Sequence, residues 1–94
     1  MTWIDRQDPE KVERALGALR AQKPGYIERE ADGDERFALW LANVDARMAR
    51  MVGVGHGDIA DWQWWDSYEA GDSPRAAAVE ALEADDLPWP VGGE

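Results

Sequence analysis

The stretch DERFALWLANVDARMARMV, residues 34–52, decides the fold. At 100° per residue, Phe37, Trp40, Leu41, Val44, Met48, Met51 and Val52 all fall within about 60° of one direction. A strand, with its period of two, would scatter them over both faces. Asp32 or Asp34 caps the start, and Gly53 suits the left-handed residue just past the end. Arg47 and Arg50 lie near the C-terminal end, where cations suit the helix dipole. The result is a helix of roughly 28 Å, and Phe37, Trp40, Leu41, Val44 and Met48 are expected in the core. Leu39 points the other way, beside Asn43, Ala46 and Arg50, as an exposed leucine or a contact point.

Upstream, residues 8–22 form a second helix. Asp8 caps it, Pro9 suits its first position, and Val12, Leu16 and Leu19 make one apolar stripe with Ala15 beside it. Pro24 and Gly25 stop it, and Trp3 and Ile4 fold back on its first turn. Tyr26 and Ile27 are apolar, but Glu28, Arg29 and Glu30 follow at once. This segment reads as a loop anchored by Tyr26 and Ile27. Downstream, GVGHG, residues 53–57, is a turn. It lacks the lysine of a phosphate loop and follows no strand. Residues 58–70 read as a helix, or a short turn followed by a helix, ending at Gly71, with Asp58 and Asp61 as candidate caps. Residues 73–85 form the last helix, with Ser73 as cap and Pro74 at its first position. Its AAAVEALEA run supplies helix propensity, and Val79 and Leu82 are its large core residues. Residues 87–94, with Pro88, Pro90, Gly92 and Gly93, form an extended or frayed tail. The whole of residues 1–94 is therefore one all-α domain, a small four-helix bundle or orthogonal helical array around one long central helix.

Composition narrows the function. Of 94 residues, 20 are acidic and 10 basic, for a net charge of −10, which argues against direct nucleic-acid binding. Residues 51–94 hold ten acids and one base, Arg75, so nearly all the excess sits there. There is no cysteine and hence no disulfide or thiolate chemistry. No apolar run spans a membrane, and MTWIDRQDPE is not a secretory signal, so a cytoplasmic location is expected. Fifteen alanines and eight arginines against two lysines and one asparagine point to a GC-rich genome.

No catalytic set emerges. His56 is the lone histidine and reads as a turn residue. With Asp58 and Asp61 it falls short of a metal site, and the acids do not follow an EF-hand pattern. Ser67 and Ser73 are the only serines. We expect no enzymatic activity, no metal and no cofactor. The unusual segment is DIADWQWWDSYEAGD, residues 58–72. Projected as a helix, it places Trp64, Trp65 and Tyr68 on one arc, toward the core. Trp62, Asp66 and Glu69 fall on the opposite arc, with Asp58 and Asp72 nearby. A tryptophan flanked by acids suits an arginine- or lysine-bearing partner, so these five residues are the expected partner-binding face.

The sequence RFALWLANVDARM, the glycine turn, the Asp-Trp-Tyr segment ending at Gly71 and the Ser73-Pro74 helix start carry a resemblance. Together, over residues 36–86, they resemble small acidic orphan proteins of phages, plasmids and other mobile elements of GC-rich bacteria. Residues 1–35 fall outside the likeness. The resemblance implies a non-enzymatic accessory or host-interaction role. The expected function is a phage-type inhibitor or modulator, such as an anti-defence protein, that occupies a basic surface of a host protein. In its strongest form it is a DNA mimic whose carboxylates replace phosphates. The alternative is a structural or assembly module that forms a homodimer through a helix face bearing Leu39, Met48 and Met51, with charge serving solubility.

Overall fold

The computed structural model describes residues 1–59 and 62–84. These residues form five α-helices: α1 (Pro9–Gln22), α2 (Tyr26–Ala31), α3 (Glu35–Val52), α4 (Trp64–Glu69) and α5 (Pro74–Ala84). Two 3-10 turns, Ile4–Arg6 and His56–Asp58, precede α1 and follow α3. There is no strand among the described residues. The expected tail, residues 87–94, lies outside them.

The all-α architecture and its long central helix are as the sequence predicts. Asp8 accepts the Glu10 amide at 3.0 Å, Asp34 the Phe37 amide at 3.1 Å, and the Ser73 hydroxyl the Ala76 amide at 3.1 Å. Each takes up a donor that the first turn leaves unpaired. At the far end of α3, Gly53 turns left-handed (φ 77°) and its amide bonds to the Met48 and Ala49 carbonyls. α3 is the hub, packed against by all four other helices. Phe37, Trp40, Leu41, Val44 and Met48 are buried as expected. The Trp40 indole donates to the Asp72 carbonyl at 2.9 Å, fixing the start of α5.

Three expectations are corrected. Residues 26–31 are a helix rather than a loop. Gly25, at φ 82°, reverses the chain so that Tyr26, Ile27 and Ala31 bury, while Glu28 and Arg29 face outward. A six-residue helix has little stability of its own, so burial of those three residues holds it. Leu39 is buried, not exposed. Trp3, Ile4, Val12 and Leu39 line one small depression, so the N-terminal segment covers a second side of α3. Of the two readings of segment 58–70, the later-starting helix is the one found, with α4 beginning at Trp64. Finally, the alanines of α5 do more than favour helix. Ala77, Ala78 and Ala81 are fully buried beside Leu82, and their small size lets α5 lie close to α3, while Val79 is half-buried.

Polar contacts join residues 1–35 to the rest. Arg6 donates to the Gly71 carbonyl at 2.7 Å and Arg36 pairs with Asp5 at 2.6 Å, while Arg20 on α1 pairs with Glu35 in the first turn of α3 at 2.6 Å. Exposed pairs of this kind contribute about 0–1 kcal/mol each.

Candidate functional site

The sequence-predicted face is only partly assembled. Trp62 lies two residues ahead of α4, so a helical projection does not describe its direction. Its ring is half-buried against the core, edge-on to Trp64 at 6.2 Å, and its Nε1 is shielded from solvent. Asp66 and Glu69 are exposed on α4. Asp72 is half-buried, its carbonyl taken by Trp40. Asp58 closes the second 3-10 turn, and its side chain lies outside what the structure describes.

Among the described residues the exposed tryptophan is Trp65. It was expected in the core with Trp64 and Tyr68, yet it is 43% exposed while Trp64 and Tyr68 are buried. Adjacent positions on a helix point 100° apart, and the side of α4 turned inward carries Trp64, Ser67 and Tyr68, which leaves Trp65 at its rim. The Trp65 ring stands edge-on to Phe37 at 4.9 Å and tilts against Tyr68 at 5.3 Å. Trp65 and Phe37 form one wall of an open depression of about 450 Å³. Glu28, Glu30, Ala31, Asp32 and Asp34 line the rest, with Arg29 as the single base among the described residues. An aromatic surface is thus surrounded by carboxylates. These acids come from the half of the sequence whose charges nearly balance. Folding collects four of them on one side of α2 and the α2–α3 turn.

A second polar cluster lies behind that wall. His56 Nδ1 is 2.6 Å from Asp45 Oδ1, and its Nε2 is 3.1 Å from Glu30 Oε1. The His56 amide donates to Asp45 Oδ1 at 2.7 Å, and the Tyr26 hydroxyl donates to Asp45 Oδ2 at 2.7 Å. The turn carrying His56 fits closely, for a Cβ on Gly55 would lie 3.1 Å from Asp45 Oδ1. The hydrogen bond to Asp45 raises the His56 pKa. Burial opposes that shift, and the charges of Asp45 and Glu30 add to it. Burial alone would raise the Asp45 pKa, but the bonds from His56 and Tyr26 hold it below the ordinary value. Burial, then the bond to Asp45, pushes the Tyr26 phenol far up, so it stays a donor. These groups border a larger open depression of about 610 Å³, floored by Ala42, Ala46 and Ala49. Among the described residues no group of three or more such side chains could hold a metal ion. No described helix is long and apolar enough to cross a membrane.

Sequence reasoning missed this cluster, treating His56 as an ordinary turn residue. One signal was present: Asp45 projects roughly 80° from the centre of the α3 stripe, at its rim. A carboxylate there must find partners as the helix packs.

Comparison with known proteins places residues 36–85 under the model of a family of unknown function, DUF5419. The chain is 50% identical to the "Gene 87 protein" of Mycobacterium phage D29 over 46 residues, 49% of this chain and 85% of that protein. It is 41% identical to the "Gene 87 protein" of Mycobacterium phage L5 over 46 residues, 49% of this chain and 87% of that protein. No solved structure matches. The family segment runs from α3 through α5 and holds Asp45, His56 and Trp65. Tyr26, Glu28, Glu30, Asp32 and Asp34 lie outside it. What remains of either phage protein beyond the match is too short for counterparts of both α1 and α2.

Proposed function

The chain belongs to the DUF5419 family, and we propose that it is a non-enzymatic, phage-type accessory protein that binds a basic surface of a host protein and blocks or modulates it. One observation carries this reading: the exposed Trp65 ring beside Glu28, Glu30, Asp32 and Asp34. An arginine can stack on the indole while its guanidinium pairs with a carboxylate, two interactions that reinforce each other. Tryptophans in such positions dominate binding energies, and surrounding acids steer a basic partner into place. Asp66 and Glu69, on the same helix as Trp65, extend the acidic surface. The site proposed here is therefore centred on Trp65 rather than Trp62. Where the host surface is one that normally holds nucleic acid, the carboxylates stand in for phosphates, and the protein acts as a DNA mimic in the host cytoplasm. Self-association through α3 is the weaker reading, because Leu39 and Met48 are buried within the monomer.

A hexa-arginine peptide titrated into isotopically labelled protein tests the site. The Trp65 indole resonance and the amides of residues 28–34 should shift together. Trp65→Ala should weaken binding tenfold or more, a loss of about 1.4 kcal/mol. Glu13→Gln, on α1 outside this face, should change it little, and added salt should weaken it steadily. Equal effects of Trp65→Ala and Glu13→Gln would mean that the peptide senses only net charge.

A further inference from the structure

His56 contacts a carboxylate through each ring nitrogen: Asp45 on α3 through Nδ1 at 2.6 Å and Glu30 on α2 through Nε2 at 3.1 Å. A neutral imidazole carries a single N–H and can donate to only one of them. The other nitrogen would then turn its lone pair toward a carboxylate oxygen. Holding both contacts at once requires the imidazolium.

We propose that His56 is a proton-controlled clamp that, when charged, fixes Glu30 and the α2 wall to α3 and the 53–59 turn, and that releases Glu30 when it loses its proton. The asymmetry of the cluster decides which contact survives. Asp45 is held independently by the His56 amide and the Tyr26 hydroxyl, and its contact with the ring is the shorter. The remaining proton therefore stays on Nδ1, toward Asp45. Among the described residues Glu30 has one other tether, the Arg29 Nε at 3.1 Å on its own helix. The groups facing the ring are Asp45 from α3, Glu30 and Tyr26 from α2, and the Trp64 ring of α4, edge-on at 6.2 Å. Arg29 and Lys23 border the same depression. None of these supplies Glu30 with a replacement for the imidazolium on another helix.

Glu30 lines both depressions, so release has a consequence on the other side of the wall. A positive charge disappears behind the acidic face, and a carboxylate becomes free to turn into it. Cation binding beside Trp65 should strengthen as pH rises through the His56 titration. This consequence, unlike the clamp, rests on the function proposed above.

The test reads the two separately in the full chain. In the free protein, the His56 Cε1 proton should titrate above the ordinary histidine value of about 6.5. Protection of amides in residues 26–31, corrected for the intrinsic rise of exchange with pH, should fall along the same curve. Glu30→Gln should lower the midpoint while leaving the fold intact. A midpoint at or below the ordinary value, or protection that stays flat across it, overturns the clamp. Hexa-arginine affinity should rise severalfold through that midpoint in the wild type and stay level in Glu30→Gln. Flat affinity with an intact titration overturns the coupling alone. Absence of Trp65-dependent binding at every pH instead overturns the proposed function and leaves the clamp standing.

Discussion

Trp62 and Trp65 sit three positions apart and meet opposite surroundings. The first packs against Trp64 and has its indole nitrogen shielded from solvent. The second leaves nearly half its surface to solvent. Truncating them should separate stability from binding. Trp62→Ala removes a packed ring and should lower stability by about 1–3 kcal/mol, below the 3–5 kcal/mol typical of a fully buried aromatic. Trp65→Ala should shift the melting temperature less than Trp62→Ala does while abolishing most of the cation binding. Thermal melts of the two variants side by side check this. A sequence projection could not have told them apart. It assumed that one helix ran through residue 62, and the direction of every side chain depended on that phase. Phe37, Trp40, Leu41, Val44 and Met48 were legible because seven apolar residues fixed the phase of α3 on their own. Nothing equivalent exists in a six-residue helix.

Among the elements, α2 and α5 illustrate what periodicity misses. The YIEREA segment has too few residues to display a stripe, and its helix exists because Tyr26, Ile27 and Ala31 bury together. Its outward residues then supply much of the acidic face, so missing the helix also meant missing the site. In α5 the small residues are the informative ones. Ala77, Ala78 and Ala81 have no exposed surface where the helix lies against α3. Ala78→Leu should therefore be destabilising despite leucine's good helix propensity, by about 1–3 kcal/mol, because a closely packed contact cannot take three more carbons. Chemical denaturation of this variant beside Ala84→Leu, at an exposed position of the same helix, separates overpacking from propensity.

For the whole molecule, two titrations set the pH range of stability. The His56 pKa is raised by folding, so its contribution is complete below the unfolded value of about 6.5 and is lost as pH rises through the folded value. The Asp45 pKa is lowered, so its contribution is complete above about 3.9 and is lost as pH falls through the folded value. Melting temperature should be highest between about pH 4 and 6.5. His56→Gln should remove the decline that this residue causes on the alkaline side. Sequence alone placed the charge excess in residues 51–94 and took that for the location of the face. The structure draws the depression around Trp65 from Glu28, Glu30, Asp32 and Asp34, because proximity in space depends on how α2 folds back and not on which half of the chain is more acidic.

The contacts between Arg6 and Gly71, Arg36 and Asp5, Tyr26 and Asp45, and His56 and Glu30 all cross from residues 1–35 to the segment that the family model covers. Leu39 is covered along the same junction. It is in effect a subunit interface enclosed within one polypeptide, whose partners meet at the high local concentration that a tether provides, on the order of millimolar. The connection passes through Asp32 and Gly33, both exposed. Cutting there would remove the tether without touching the interface. Two pieces, residues 1–32 and 33–94, should then behave as complementing fragments: poorly structured apart, and recovering helical signal when mixed at sufficient concentration.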